Sequence, residues 1–345
     1  MCQTGPMTSS DTSPLAAQPA TMPDVREADM ICERLQRARQ ETSRIIFGQD
    51  KVISQTLAAI LAGGHALLVG APGLGKTLLV TTLGTVLGLD ARRVQFTPDL
   101  MPSDITGSEI LDEDASGRRS FRFVPGPVFC QLLMADEINR ASPRTQSALL
   151  QAMQERRVAV AGAEHPLPRP FHVLATQNPL EQEGTYPLPE AQLDRFMLQI
   201  PLTFPDAQAE RTMLLATTGT QEAQAQPVMD TAGLTEAQAL VRRLPVGEKI
   251  VDAILELVRS ARPETSPDST LRTQIAWGPG PRAAQALMLA TRARALLDGR
   301  LSPSLDDVIA LARPVLAHRM ALTFAARADG VLLDDVLTRL VNRLG

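Results

Sequence analysis

The most constraining feature of this sequence is a glycine-rich segment at residues 70–77, which reads GAPGLGKT. It matches the pattern G-x-x-x-x-G-K-[ST] at every fixed position. An apolar stretch typical of a strand precedes it at 65–69, and a helical pattern follows it at 77–87. Glycines here let backbone N–H groups curl around phosphates, and the start of the following helix adds partial positive charge. The segment therefore predicts a strand, a loop and a helix that together bind a nucleoside triphosphate.

Apolar patterns elsewhere in the chain alternate between strands and helices before residue 204. A second strand is predicted at 128–135 and a third at 171–176, with a helix at 142–157 between them. Such alternation predicts a parallel sheet with helices on both faces. The strands then disappear, and helices are predicted at 207–217, 235–244, 249–261, 282–297, 304–317 and 332–344. The predicted fold class is α/β, with a parallel-sheet core followed by an all-helical domain.

The chain divides by composition into three parts. Residues 1–28 are rich in Thr, Ser, Pro, Ala and Gln and lack apolar periodicity, so we expect a disordered leader. The core is expected at 29–203 and the helical domain at 204–345. Residues 52–75 carry no formal charge, but two glycines at 63–64 interrupt them, so two short elements are a better interpretation than a membrane span. No signal peptide is recognisable, and we expect a cytoplasmic protein.

Charge and aromatic content argue against a dedicated nucleic-acid binder. The chain has 34 basic and 38 acidic residues, a formal charge of −4, and only 3% aromatic residues. Grooves that track nucleic acid need both basic charge and stacking surfaces. Lys76 is one of only three lysines, and the three cysteines lie too far apart for a paired metal or redox motif.

Polar residues follow the predicted strands at positions suited to hydrolysis. Lys76 is expected to reach the β- and γ-phosphates, and the Thr77 hydroxyl to bind Mg²⁺. Asp136 and Glu137 end the second strand, where the first carboxylate can hold Mg²⁺ through water and the second can activate the attacking water. Asn178 follows the third strand; its spacing fits either a residue that holds this water or a turn-forming Asn before Pro.

Several long motifs in the same order make the sequence similar to the MoxR family of AAA+ ATPases. The resemblance covers about residue 31 to the C-terminus. Besides residues 70–77, the matching segments are LMADEINRASP at 133–143, ATQNP at 175–179, EAQLDRF at 190–196, QFTPDL at 95–100 and EQEGTYP at 181–187. The resemblance implies an AAA+ αβα core with a helical lid domain.

The same resemblance implies roles for individual residues. It makes Asp136 and Glu137 the Walker B pair, Asn178 sensor 1, Arg195 the arginine finger of a neighbouring subunit's site, and Arg282 the sensor 2 arginine of the lid. Gln49 corresponds to the segment beside the adenine, which favours ATP. One departure stands before Arg282, where Gly278-Pro279-Gly280 replaces the usual Gly-Ala-Ser.

The predicted site residues therefore fall into three groups. Catalysis is assigned to Lys76, Glu137, Asn178 and Arg195. Mg²⁺ is assigned to Thr77 and Asp136. Nucleotide binding is assigned to Gln49, Gly70, Ala71, Pro72, Gly73, Leu74, Gly75, Lys76, Thr77, Leu78 and Arg282.

Two insertions are also expected. Residues 103–123 correspond to the family's insert in the second helix, with acidic residues at 112–114 and basic residues at 118–119. Residues 158–167 alternate as a hairpin with its turn at Gly162-Ala163. In related motors such hairpins face a central pore or a substrate, and solvated loops are the alternative.

The function that the resemblance implies is Mg²⁺-dependent hydrolysis of ATP by a ring, expected to be a hexamer, that remodels protein partners or assists metal-cofactor assembly. The family's usual partners contain von Willebrand factor A domains. The alternatives are a chelatase-type motor, which would share every nucleotide-binding residue, a nucleic-acid motor, and a scaffold that binds ATP without turnover. The intact Lys76, Glu137, Asn178 and Arg195 argue against the scaffold.

Overall fold

The computed structural model describes residues 25–344 except 114–116, 118, 180–183 and 219–222. Most of the predicted leader, parts of the EQEGTYP motif and parts of the charged stretch at 112–119 lie outside the described residues. The predicted α/β fold class is confirmed, because a five-stranded parallel sheet is flanked by helices and followed by a helical region.

The first half of the chain forms the sheet and its insertions. Its helices are α1 (Val25–Ile45), α2 (Asp50–Leu61), α3 (Lys76–Val86), α4 (Pro102–Thr106), α5 (Pro143–Glu155) and α6 (Glu190–Leu193), with a 3₁₀ turn at Ile138–Arg140. Its strands are β1 (Ala66–Val69), β2 (Ala91–Gln95), β3 (Gly107–Glu113), β4 (Arg119–Pro125), β5 (Leu132–Asp136), β6 (Arg157–Val160), β7 (Ala163–Pro166), β8 (His172–Gln177) and β9 (Leu198–Pro201).

The second half is helical apart from one short ribbon. The helices are α7 (Ala207–Thr217), α8 (Thr231–Arg243), α9 (Glu248–Ser260), α10 (Ser269–Gln274), α11 (Pro281–Leu297), α12 (Leu305–Leu316), α13 (Phe324–Ala328) and α14 (Leu333–Val341). The ribbon pairs β10 (Ile275–Trp277) with β11 (Ala321–Leu322) in antiparallel fashion. Among the described residues, no helix combines the length and apolar character needed to cross a bilayer.

The strand order of the parallel sheet is β2-β5-β8-β1-β9. In this register Gln95 lies beside Asp136, and Val69 lies beside Gln177. The loops that follow β1, β5 and β8 therefore leave the sheet at one edge. Ligands of open parallel sheets bind at the carboxyl ends of the strands, so this edge is where a site is expected.

Two apolar clusters cover the two faces of the sheet. Alternate strand residues point to opposite faces, so Leu68 and Met134 join one cluster whereas Leu67 and Leu133 join the other. The first cluster continues without a break from α1, α2 and α3 into α8, α9, α11, α12 and α14. The helical region therefore shares its core with one side of the sheet.

Both predicted insertions are antiparallel hairpins, β3–β4 and β6–β7. They contact each other where the ring of Phe123 stacks on that of His165, with centroids 3.8 Å apart. Leu111 and Phe121 face each other across β3–β4 and are exposed, and the same hairpin carries the ion pairs Arg122–Asp112 and Arg119–Glu113.

Several element boundaries differ from the predictions. Helix α1 begins at Val25, so 25–28 are helical rather than part of the leader; Ala28 is buried with the next turns of its helix. The predicted strand 128–135 begins only at Leu132, after a turn. Helix α8 begins earlier than predicted because Asp230 caps it, accepting from Gly233 N at 2.8 Å. Strands β2, β9, β10 and β11 were not predicted.

Candidate nucleotide site

The loop between β1 and α3 has the backbone that its glycines predict. Gly73 and Gly75 adopt left-handed φ angles of +82° and +72°, which L side chains disfavour. Gly70 is required for a different reason, because a Cβ there would lie 2.8 Å from the carbonyl oxygen of Leu202. Lys76 Nζ donates to the carbonyl oxygen of Gly70 at 2.8 Å, across the mouth of the loop. The loop thus presents a lysine and the N-terminus of α3 to the same space.

Asp136, the last residue of β5, is buried and held on both sides. Its Oδ1 accepts from Thr176 Oγ1 of β8 at 2.6 Å. Its Oδ2 accepts from the guanidinium of Arg93 of β2, at 2.6 Å and 3.1 Å. Side chains of both neighbouring strands therefore fix the orientation of this carboxylate.

Glu137 has a left-handed backbone, with φ +55° and ψ +50°. Its N–H donates to Thr176 Oγ1 at 2.8 Å. Its Oε2 accepts from Gln95 Nε2 at 2.7 Å and from Arg140 Nη1 at 3.0 Å. The turn directs the two neighbouring carboxylates to different partners. Asp136 is bound by Arg93 and Thr176, whereas Glu137 is bound by Gln95 and Arg140.

The five residues predicted to handle phosphate, metal and water come together in this structure. They line one cavity of about 410 Å³ at the carboxyl edge of the sheet. Carboxylate and hydroxyl oxygens are the ligands that Mg²⁺ prefers, and Mg²⁺ in such sites takes few protein ligands because phosphates supply others. The donor set therefore fits Mg²⁺ with a triphosphate. The lining residues are Pro72, Gly73, Gly75, Lys76, Thr77, Leu78, Asp136, Glu137 and Asn178.

A second, more apolar cavity of about 310 Å³ adjoins the loop and shares Gly73, Gly75 and Leu78 with the first. Gln49 lines it, but its side-chain amide donates to the carbonyl oxygen of Thr203 at 3.2 Å. The apolar side chains that line this cavity suit the flat ring of a nucleotide base. Those that the sequence did not indicate are Ile45, Ile46, Phe47, Phe204, Pro205 and Met213.

The two predicted arginines lie elsewhere. Arg195, between α6 and β9, and Arg282, at the start of α11, line a different cavity of about 280 Å³. The residue before Arg195 connects the two, since Asp194 Oδ2 is 3.8 Å from Arg282 Nη1. Neither arginine lines the phosphate cavity of its own chain.

Arg319 lines the same cavity as Arg195 and Arg282, and the sequence did not indicate it. Its side chain is only 3% exposed, and its Nε donates to Asp194 Oδ1 at 2.6 Å. Burial lowers the pKa of Arg319, which Asp194 opposes and Arg282 reinforces. His318, next to it, donates from Nε2 to the carbonyl oxygen of Phe196 at 2.9 Å. Nothing in the local sequence marks these two residues, because Asp194 and Phe196 lie more than a hundred positions earlier.

Comparison with known proteins agrees with this arrangement. Residues 65–198 match the model of the ATPase family associated with various cellular activities, and residues 268–340 match the AAA lid domain. The chain is 42% identical to chaperone MoxR1 of Mycobacterium tuberculosis over 309 residues, covering 89% of this chain and 81% of that one. It is 32% identical to protein MoxR of Paracoccus denitrificans, covering 84% and 89%.

A solved structure gives the same result for the fold. A Cytophaga hutchinsonii protein provisionally described as an ATPase superposes with a TM-score of 0.85 at 36% identity. The match covers 92% of this chain and 96% of that one.

Proposed function

The chain belongs to the MoxR family of AAA+ ATPases, and from that premise we propose that it hydrolyses ATP with Mg²⁺ in a closed ring of like subunits and uses the energy to remodel protein partners. We propose a hexamer, a cytoplasmic location, and a partner with a von Willebrand factor A domain. We also propose that the core spans 25–203, with the whole of α1, and that the lid domain spans 204–345.

The observation that carries the proposal is the division of the catalytic side chains between two places. The loop, Asp136, Glu137 and Asn178 line one cavity, whereas Arg195 and Arg282 line another. A site that needs all of them is complete only where two chains meet. Head-to-tail contact of this kind closes into a ring when its rotation allows.

Each residue of the phosphate cavity has a distinct task in hydrolysis. The loop amides and Lys76 hold the phosphates, and Thr77 and Asp136 hold the metal, which when bound neutralises charge on the phosphates. Glu137 accepts a proton from the attacking water once Gln95 and Arg140 no longer occupy its Oε2. Asn178 orients that water. Arg195 and Arg282 of the neighbouring chain stabilise the negative charge that develops on the transferring phosphoryl group.

The test is a complementation experiment between two inactive variants. Lys76→Ala has an intact Arg195 but binds no nucleotide, whereas Arg195→Ala binds nucleotide but supplies no arginine. When the two variants are mixed in equal amounts, about a quarter of the head-to-tail interfaces combine an intact loop from one variant with an intact Arg195 from the other. We expect that fraction of wild-type ATPase activity, rising with protein concentration. No recovery in a mixed assembly confirmed by sizing and mass spectrometry would contradict the shared site.

A further inference from the structure

Arg319 uses most of its hydrogen-bonding capacity on one short segment. A guanidinium has five N–H donors. Nε donates to Asp194 Oδ1 at 2.6 Å, and Nη2 donates to the carbonyl oxygens of Phe196 and Asp194 at 2.7 Å and 3.3 Å. Nη1 donates to the carbonyl oxygens of Val315 and Met197 at 2.6 Å and 3.1 Å. Four of the five bonds therefore end on residues 194–197.

These bonds immobilise the backbone on both sides of Arg195. The carbonyl oxygens of Asp194 and Phe196 are bound by Arg319, and that of Phe196 also accepts from His318. The N–H groups of Arg195 and Phe196 are satisfied by the preceding turn, at 3.3 Å and 3.0 Å. The Cα of Arg195 is thus fixed while its side chain is left to project into the cavity that it lines.

Asp194 extends this arrangement to the lid. Its Oδ1 is taken by Arg319 and its Oδ2 lies 3.8 Å from Arg282 Nη1. One carboxylate therefore lies between the residue that fixes Arg195 and the other arginine of the same cavity. Arg319 itself belongs to the lid, three residues after α12 ends.

Fold stability alone is a weak explanation for this arginine. Removing a guanidinium from water costs several kcal/mol, and a buried ion pair is often replaceable by apolar residues without loss of stability. An apolar side chain could fill the same space, but it could not bind three carbonyl oxygens and a carboxylate of the segment that carries Arg195.

We propose that Arg319 is a positioning residue, which sets Arg195 and, through Asp194, Arg282 in the geometry needed at the neighbouring subunit's ATP. The inference rests on the proposed function, because it assumes that these arginines act on the next chain. It predicts that loss of Arg319 disables the arginines that a subunit supplies to its neighbour's site. The function of the subunit's own phosphate loop should be unchanged.

The experiment uses Arg319→Gln and Asp194→Asn in the full-length chain. Asp194 is partly exposed, so its variant keeps the proposal testable if Arg319→Gln does not fold. Arg313→Gln is the matched control, since Arg313 lies on the last turn of α12 and forms an exposed ion pair with Asp334. We expect both test variants to lower kcat about 10- to 100-fold at unchanged KM for ATP, because small displacements of a catalytic group cost this much. The control should keep wild-type values.

Mixing distinguishes positioning from a general structural defect. Combined with Lys76→Ala, each test variant should regain about a quarter of wild-type activity, because its own loop meets a sound Arg195. Combined with Arg195→Ala, it should regain nothing, because neither chain supplies a positioned arginine. Equal recovery with both partners, equal failure with both, or a wild-type kcat in the variants would overturn the proposal. If Lys76→Ala and Arg195→Ala do not complement each other in mixed assemblies, the shared site itself is wrong and this inference falls with it.

Discussion

At the residue scale, the backbone of Glu137 is the strongest local indication of function. A non-glycine residue in the left-handed region costs about 1–3 kcal/mol and persists only where its surroundings enforce it. Here the N–H of Glu137 is bound to Thr176 Oγ1, which also donates to Asp136. The strain is therefore maintained by the same hydroxyl that orients the other carboxylate, which places Glu137 in the cavity beside Asn178.

This geometry makes the variants Lys76→Ala and Glu137→Gln behave differently. Lys76→Ala should lose nucleotide affinity, because its ammonium faces the space for the phosphates. Glu137→Gln should retain bound ATP and lose about 10²–10⁴ in turnover, the usual contribution of a general base. Binding of a fluorescent ATP analogue and release of phosphate measure the two effects separately.

A Glu137→Gln protein that hydrolyses ATP at a rate within threefold of wild type would contradict the role assigned to Glu137. Lys249→Ala is the control for loss of a lysine, since Lys249 is exposed on α9 and far in sequence from the loop. It should leave both binding and turnover unchanged.

Residues in a contiguous motif were predictable, whereas their supports were not. Asp136 ends a strand, and Lys76 and Asn178 follow strands, so the sequence places all three at the carboxyl edge of the sheet. Arg93 and Arg319 act on these motifs from separate elements, and only the folded pairing of β2 with β5, or of the lid with residues 194–197, brings them close. Such partners leave no local signal in a single sequence.

At the element scale, the entry to α11 lacks a side-chain cap. Gly280 is its N-cap residue and makes no side-chain hydrogen bond, and Pro281 follows at the first helical position. Its backbone is extended, with φ −77° and ψ −178°, and a Cβ there would meet open space. A serine would fit and could bind a free N–H group of the first turn.

Gly280→Ser should therefore raise the free energy of unfolding by about 0.5–1 kcal/mol. The serine adds a cap to the helix, and it makes the unfolded chain less flexible than glycine does. Urea denaturation followed by circular dichroism measures it. Gly247→Ser is a matched control, because Gly247 also caps a helix, α9, with open space around it, and should give a similar gain. Gly278→Ser should destabilise, because its Cβ would collide with the carbonyl oxygen of Ala261. A loss of stability in Gly280→Ser would show that this entry depends on glycine.

Within the parallel sheet, the two edge strands were the elements that the sequence did not predict. Strands β2 and β9 lie at the two edges of the parallel sheet. Residues 91–93 of β2 are exposed, so β2 lacks the apolar run that identified β1 and β5. Strand β9 has only four residues and ends in Pro201, which an edge tolerates because its missing N–H is not needed there. Hydrophobic patterns identify central strands, whereas edge strands lack such a pattern because they are short or partly exposed.

At the scale of the whole molecule, three buried histidines link stability to pH. Burial lowers the pKa of His65 to about 3 and that of His172 to about 4. Burial, with Arg319 nearby, lowers the pKa of His318 to about 3. Each ring is therefore neutral in the folded protein at neutral pH, and His318 carries its proton on Nε2 because a carbonyl oxygen accepts from it.

Stability should fall as the pH falls below about 6.5, where histidines of the unfolded chain begin to bind protons. Between pH 6.5 and the lowered pKa values, the unfolded state holds more protons than the folded state. Each histidine therefore lowers the free energy of unfolding by up to about 1.4 kcal/mol for each unit that the pH falls. Urea midpoints at pH 7.5, 6.0 and 5.0 at constant ionic strength measure this. A His318→Gln variant should lose stability less steeply with acidification, and an unchanged slope would contradict the assignment for His318.

The apolar cluster that runs from the sheet into the helical region also limits how the protein can do mechanical work. Ile53 and Leu57 of α2 and Leu287 of α11 are fully buried in this cluster, and exposing each such side chain costs about 1.5–3 kcal/mol. A hinge that separated α2 from α11 would expose many of them at once. We therefore expect sheet and lid to move together as one body and, in the ring proposed above, displacement during turnover to occur at the boundary between neighbouring chains.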